Sequence, residues 1–411
     1  MKTLSLLLVY ICSCQGFYNI PAYAPYNWLP HILIPNTNEE LAKALCSKYN
    51  ASGYCIDNDM KIIFVTKVFD FRKTEGVNEE EGCYHLSTPE CLIHGQKKLN
   101  FSNQCNGLQS TLVTYDRAGQ NPLQIGSNKY IISRKGKILG KGLKVSANQN
   151  VFIYGLTISD VNADVIFGGD AIILDGATNV WIHGNYIARI GRQMFVTGLN
   201  ACKNITVSYN TFDGRSPYSA YCDGSHYWLW LIEGADDFVT FYQNTVIYTS
   251  GRGPHLTGSP NSKGLLHIIK NIFINIQHAG LIDAASPAAR ALIEGNLFYN
   301  VSYVVNNNFG HIYYIFNKND AEVCRKYIKR KCFVNSAKNS KGLEIKNDES
   351  VLKEFAHLDL IDTDVIDKYD AYFKSFVNYL GDTSLSVKSN VKKPKRNKIR
   401  QKSKFSKNKL L

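Results

Sequence analysis

Val151-Phe-Ile-Tyr-Gly-Leu-Thr-Ile158, Val180-Trp-Ile-His-Gly-Asn-Tyr-Ile187, Ile205-Thr-Val-Ser-Tyr-Asn-Thr-Phe212, Val239-Thr-Phe-Tyr-Gln-Asn-Thr-Val246, Leu266-His-Ile-Ile-Lys-Asn-Ile-Phe273 and Ala291-Leu-Ile-Glu-Gly-Asn-Leu-Phe298 are six versions of one pattern, beginning 29, 25, 34, 27 and 25 residues apart. Each has alternating side chains, a polar break and a second short alternating piece, so one strand bends through a tight turn into another. Five breaks carry an asparagine at the same place: Asn185, Asn210, Asn244, Asn271 and Asn296. Stacked one above another, their amides would bond as a ladder and satisfy polar groups that the coil otherwise buries unpaired. Unequal steps around a constant core imply loops of unequal length on one side. That is the plan of a right-handed, single-stranded parallel β-helix with a groove along it, an all-β fold. A β-sandwich would instead show hairpin turns every 8–12 residues or so.

Outward from this ladder, Asn38 to Lys48 has a helical pattern with Glu39 and Glu40 in its first turn, and Val351 to Tyr379 is a second helical or extended tract. These read as short helical caps for the open ends of the solenoid. Gly107 to Ser146 supplies early, less regular coils.

The chain of 411 residues is 45% hydrophobic and 12% aromatic, enough for a large core. Lys2, the apolar run Leu4 to Cys12 and Cys14-Gln15-Gly16 read as a signal peptide over residues 1–16. No later run reaches about 18 apolar residues, so a secreted soluble protein without a membrane partner is expected. Eleven cysteines fall to nine without Cys12 and Cys14, allowing four disulfides and one free thiol. Cys46 with Cys55, and Cys324 with Cys332, would be small staples, while Cys83, Cys91, Cys105 and Cys222 would tie the N-terminal region to the middle. No paired CxxC has zinc spacing. Sequons at Asn50, Asn100, Asn204 and Asn300 suit a glycoprotein.

The net charge of +13 suggests nucleic acid until it is mapped. Eleven of the 47 Lys and Arg follow Asp382 with no acid among them, leaving 36 basic against 34 acidic residues elsewhere. The body is nearly neutral and no nucleic-acid partner is expected. Residues 386–411 read as a disordered basic tail, solvated or held on an acidic surface, and residues 17–385 as the β-helix domain.

Three polar clusters stand beside the ladder: Gly168-Gly-Asp-Ala171, Ala188-Arg-Ile-Gly-Arg-Gln193 and Thr249-Ser-Gly-Arg-Gly-Pro254. Glycan cleavage needs two carboxylates for hydrolysis, or a base aimed at the carbon beside a uronate carboxyl. The arginines of these clusters favour the second.

From Val65 to about Cys332 the chain resembles the fungal-type pectin lyases of polysaccharide lyase family 1, in the pectate lyase superfamily. The likeness is carried by Phe69-Asp-Phe, Thr74-Glu-Gly76, Val113-Thr-Tyr-Asp-Arg-Ala-Gly119, Gly168-Gly-Asp-Ala-Ile172, Ala188-Arg-Ile-Gly-Arg-Gln193, Asp213-Gly-Arg-Ser216, Tyr218-Ser-Ala220, Cys222-Asp-Gly224, His226-Tyr-Trp228 and Ser250-Gly-Arg252. The resemblance implies an endo-acting enzyme that cleaves methyl-esterified pectin by β-elimination to 4,5-unsaturated oligogalacturonides. It implies that Arg252 takes the C5 proton, that Arg192 faces the substrate carboxyl and that Asp170 lies near both. Related pectate lyases hold calcium with an acid cluster; Arg192 stands where a further acidic ligand is expected, so no metal and no cofactor are expected here. Phe167, Tyr218, Tyr227, Trp228, His255 and Arg189 are expected to touch substrate, with Trp230 open between core and groove and Trp181 structural. The family usually shows Trp-Ile-Asp-His at Trp181-Ile-His-Gly184, Trp at Phe167 and Lys at His255. Its cysteine pattern implies Cys83–Cys105, Cys91–Cys222 and Cys324–Cys332, leaving Cys46 with Cys55 and Cys202 free. A monomer is expected. The rival readings are a calcium-dependent pectate lyase and a non-catalytic pectin-binding protein; a polygalacturonase-like hydrolase would need Gly-His-Gly and Arg-Ile-Lys segments that the sequence lacks.

Overall fold

The computed structural model describes residues 31–375 apart from 258–262, 279, 307–308, 359, 362, 365, 369 and 372–373. The leader read at residues 1–16 and the basic tail at 386–411 lie outside the described residues, as does the end of the tract reaching Tyr379. The chain divides into two compact units, Met1–Asp362 and Thr363–Leu411, and the coils all belong to the first.

Three parallel sheets of ten, nine and eight strands run along the body, each coil giving one strand to each. One coil supplies Thr178–His183, Tyr186–Ile190 and Phe195–Thr197; the next supplies Lys203–Ser208, Thr211–Asp213 and Trp230–Ile232. Val151, Val180, Ile205, Val239, Leu266 and Ala291, the first residues of the six repeats, lie in direct register on neighbouring strands. The fold is a right-handed parallel β-helix. Alternation turns Val180, Ile182, Ile205, Val207, Val239 and Phe241 into one continuous buried core, and each such side chain contributes about 1.5–3 kcal/mol.

The asparagine ladder forms at the bend between the first and second sheets. Side-chain Nδ2 of Asn185, Asn210, Asn244 and Asn271 donates to Oδ1 of the next rung at 2.9, 3.0, 2.9 and 3.1 Å. A sixth rung, Asn335, accepts from Asn296 at 3.0 Å. The helix Lys318–Ile328 intervenes before it, which hides its register in the sequence. A second ladder stacks Asn128, Asn150, Asn179 and Asn204 at φ of 54–59°, a backbone region that asparagine tolerates. Asn204, part of a sequon, gives its amide to Asn179 there.

Connections between the second and third sheets carry the length variation. The chain crosses in four residues at 191–194 and in sixteen at 214–229, which accounts for the step of 34. Beside them Val77–Tyr84, Lys97–Leu99 and Ser110–Asp116 pair antiparallel and join the short strand Val165–Ile166. Cys83–Cys105 and Cys91–Cys222 brace this flank, the latter pinning the 214–229 loop; Cys46–Cys55 and Cys324–Cys332 are local. Cys202 is a buried thiol that burial pushes up to about 12.

At the N-terminal end the helix Asn38–Leu45, capped by Thr37, inserts Leu41, Ala44 and Leu45 into the core. At the other end Leu343 and Ile345 pack against it. The helices Lys318–Ile328 and Ser350–Phe355 share a second cluster with Leu292, Tyr313 and Ile315 over the last coils.

Candidate active site

The candidate residues occupy equivalent places on four successive coils, just before the strands of the third sheet. Asp170 precedes Ile172–Asp175, Arg192 precedes Phe195–Thr197, Trp228 precedes Trp230–Ile232 and Arg252 precedes His255–Leu256. Stacking at about 4.8 Å per coil therefore lines them up. Backbone bonds fix the register: Ala171 N donates to Gln193 O at 2.9 Å, Met194 N to Trp228 O at 3.0 Å and Trp230 N to Arg252 O at 2.6 Å.

The guanidinium of Arg192 lies 4.8 Å from the Phe167 ring and 5.9 Å from that of Trp228. That of Arg252 lies 4.7 Å from Trp228 and 5.6 Å from Tyr227. Both guanidinium groups thus lie against one indole ring, whose quadrupole attracts cations. Among the described residues, the buried Nε atoms of both arginines have no hydrogen-bond partner. Burial lowers the pKa of Arg252, and Arg192 adds to the effect while Tyr227 opposes it. Asp170 accepts from Gln193 N at 2.7 Å, and burial raises its carboxyl in spite of Arg192.

Two residues without a role in the sequence reading hold this arrangement. Gln96, fully buried, accepts from Trp228 Nε1 at 3.0 Å and donates to the carbonyls of Ala163 and Gly191 at 2.9 and 2.8 Å. Its three bonds join the antiparallel flank to the indole across 132 residues of chain, a relation with no local signal. His226 lies against the carbonyls of Arg192 and Trp228 at 2.7 and 3.1 Å through Nε2. Both are acceptors, so Nε2 carries the proton; burial pushes the ring down to about 4, and it is neutral. A third, Glu233, follows the strand Trp230–Ile232 and is half-buried; burial raises its carboxyl, and it feels Arg192, Asp170, Arg252 and His255. Nothing in Ile232-Glu-Gly234 marks it as functional.

A cleft of about 520 Å³ opens beside Asp170 and Arg192, walled by Phe167, Phe101, Glu80 and Glu81. Tyr227 lines the arginine cluster and Tyr218 is exposed on the 214–229 loop. Trp230 belongs to the core: it is fully buried and stacks on Phe241 at 3.9 Å. Trp181 is likewise fully buried, against Phe152. His255 bonds Asp283 on the next strand. Arg189, expected to touch substrate, is instead held by Asp160 through Nε at 2.6 Å and Nη2 at 2.9 Å. Ala188-Arg-Ile-Gly-Arg-Gln193 crosses from a strand of the second sheet into the groove loop, which separates its two arginines.

No family model matches the chain. Probable pectin lyase B of Aspergillus niger is 36% identical over 332 residues, covering 78% of this chain and 82% of that protein. Pectin lyase 2 of Aspergillus oryzae is 37% identical over 314 residues, covering 75% and 79%. Among solved structures, a pectate lyase of Bacillus subtilis aligns over 89% of this chain and 95% of its own at 13% identity, with a TM-score of 0.49. Pectate lyase C of Erwinia chrysanthemi aligns over 82% and 93% at 15% identity, with a TM-score of 0.43. With more than a third of aligned residues shared across about four-fifths of the Aspergillus proteins, the chain belongs to the pectin lyase family.

Proposed function

We propose that the protein cleaves methyl-esterified polygalacturonan by β-elimination, without calcium, as an exported enzyme. The observation that carries this reading is the pair of guanidinium groups packed against Trp228, each with a buried Nε that no described residue satisfies. When the C5 proton leaves, negative charge builds on the carboxyl oxygens of the uronate ester. Arg192 is the group that meets that charge, and a preorganised donor in a site with little water contributes several kcal/mol to such a state. The C5 electrons form the C4=C5 bond, the C4–O bond breaks and the departing sugar takes up a proton.

Arg252 is assigned as the base. Arginine ordinarily holds its proton far above neutrality, and both its burial and Arg192 weaken that hold. The charge that a divalent ion would bring to a free uronate is supplied here by Arg192. Asp170, whose carboxyl burial pushes toward the neutral form, is a poor metal ligand and a better anchor for the Arg192–Gln193 backbone. A neutral ester suits the aromatic lining of Phe167, Tyr227 and Trp228. Export rests on the leader pattern of residues 1–16 and on four disulfides, which persist in oxidising surroundings.

Highly methylated pectin incubated with the purified protein and a chelator is expected to gain the ultraviolet absorbance of an unsaturated uronide. A folded protein that gives no such signal, or gives it only on adding calcium, would sink the reading.

A further inference from the structure

Elimination from the uronate involves two proton movements, and the arginine pair accounts for one. The base receives the C5 proton; the sugar oxygen that leaves C4 is a poor alkoxide and needs a proton of its own. We propose that His255, held by Asp283, donates that proton, an inference that rests on the elimination proposed above.

Strand register places His255 on the groove side. It pairs with Leu231 on one neighbouring strand and with Asp283 on the other, while the intervening Ile232, Leu256, Ile282 and Ala284 point into the core. His255 follows Arg252 by three residues on the same coil. Its Nδ1 lies 2.6 Å from Asp283 Oδ2. A carboxylate there accepts the Nδ1 proton, orients the ring and stabilises its cationic form, leaving Nε2 to a partner outside the pair. The second carboxylate oxygen of Asp283 is buried and makes no hydrogen bond among the described residues, where the imidazole is the carboxylate's principal partner.

The charged groups around the imidazole are Asp283 on the strand Ile282–Ala284, Glu233 after the strand Trp230–Ile232, and Arg252 on its own coil. In the step proposed, the C5–H electrons become the C4=C5 bond, the C4–O pair passes to the leaving oxygen, and Nε2–H is transferred to that oxygen. The neutral ring is then reprotonated by solvent while Arg252 gives up the proton it gained. A general acid of this kind is worth about 10²–10⁴-fold in rate.

Rates of unsaturated-product release from highly methylated pectin, measured across pH for the full chain and three variants, test the assignment. His255→Gln is expected to lower kcat about 10²-fold with little change in KM and to remove the alkaline fall in rate. His255→Lys, which keeps its proton to higher pH, is expected to recover much of the turnover and carry the alkaline fall upward. Asp283→Asn, which preserves the shape of the pair, is expected to move that fall to lower pH. Circular dichroism and Tm identify any variant that has lost its fold, in which case Asp283→Asn decides. An active parent whose folded His255→Gln variant keeps kcat and pH profile, or changes only KM, overturns the donor and leaves the elimination standing. An inactive parent overturns both.

Discussion

The two sides of each coil treat polar groups in opposite ways. Where the first sheet bends into the second, every rung from Asn185 to Asn296 passes its amide to the next, so each buried donor meets an acceptor one coil away. Where the second sheet crosses to the third, Arg192 and Arg252 are half-buried, their Nε atoms are buried with no partner among the described residues, and connection length varies from coil to coil. A repeating bend of fixed length serves stability because identical neighbours satisfy one another. A crossing of variable length can leave charges unsatisfied because the rest of the coil holds it in place, and unsatisfied charge is what a reaction can use.

The sharpest way to break that contrast is Arg252→Ala. It is expected to lower turnover on methylated pectin by about 10³-fold, roughly 4 kcal/mol of transition-state stabilisation, while Tm stays level or rises as a buried cation is relieved. Asn244→Ala should do the reverse. Asn210 loses its acceptor and the carbonyl of Val207 a donor, so denaturant unfolding should show a loss of about 3 kcal/mol with the specific activity of the folded fraction kept.

Glu294 extends the comparison to a buried charge that is fully matched. Burial alone would raise its carboxyl, but Arg330 and His267 hold it at about 2. A carboxyl depressed in the folded state contributes stability above its unfolded value, about 4.3, and that contribution is lost as pH falls toward 2. Tm is therefore expected to drop between about pH 4.5 and 2, and Glu294→Gln to flatten part of that slope. The smallest effect is expected from Gln96→Leu, which frees Trp228 Nε1: about a tenfold loss in kcat/KM, near 1.4 kcal/mol, with the arginines untouched. A variant at full activity would show that the indole holds its place by packing alone.

Strand alternation and the five asparagines were legible because each is a local consequence of one coil repeating. Asn335 was not, because a helix interrupts the repeat before it. The second ladder escaped because a lone asparagine at the start of a strand looks like any turn residue. In the groove, Asp170, Arg192 and Arg252 stood out through short glycine-rich clusters, whereas Gln96 and Glu233 were silent and His226 stood in a family motif without a role. What they do depends on partners such as Trp228, Arg192 and His255 on other coils.

By itself the amino-acid order determined the period of the coil, the inward face of each strand and the family resemblance, since all three follow from spacing along the chain. Only the tertiary structure decided that Arg189 turns to Asp160 while Arg192, three residues on, meets Trp228 with Arg252. The reason is that successive coils stack about 4.8 Å apart while lying 20 or more residues apart in sequence, so nearness across coils leaves no trace in any short stretch of chain.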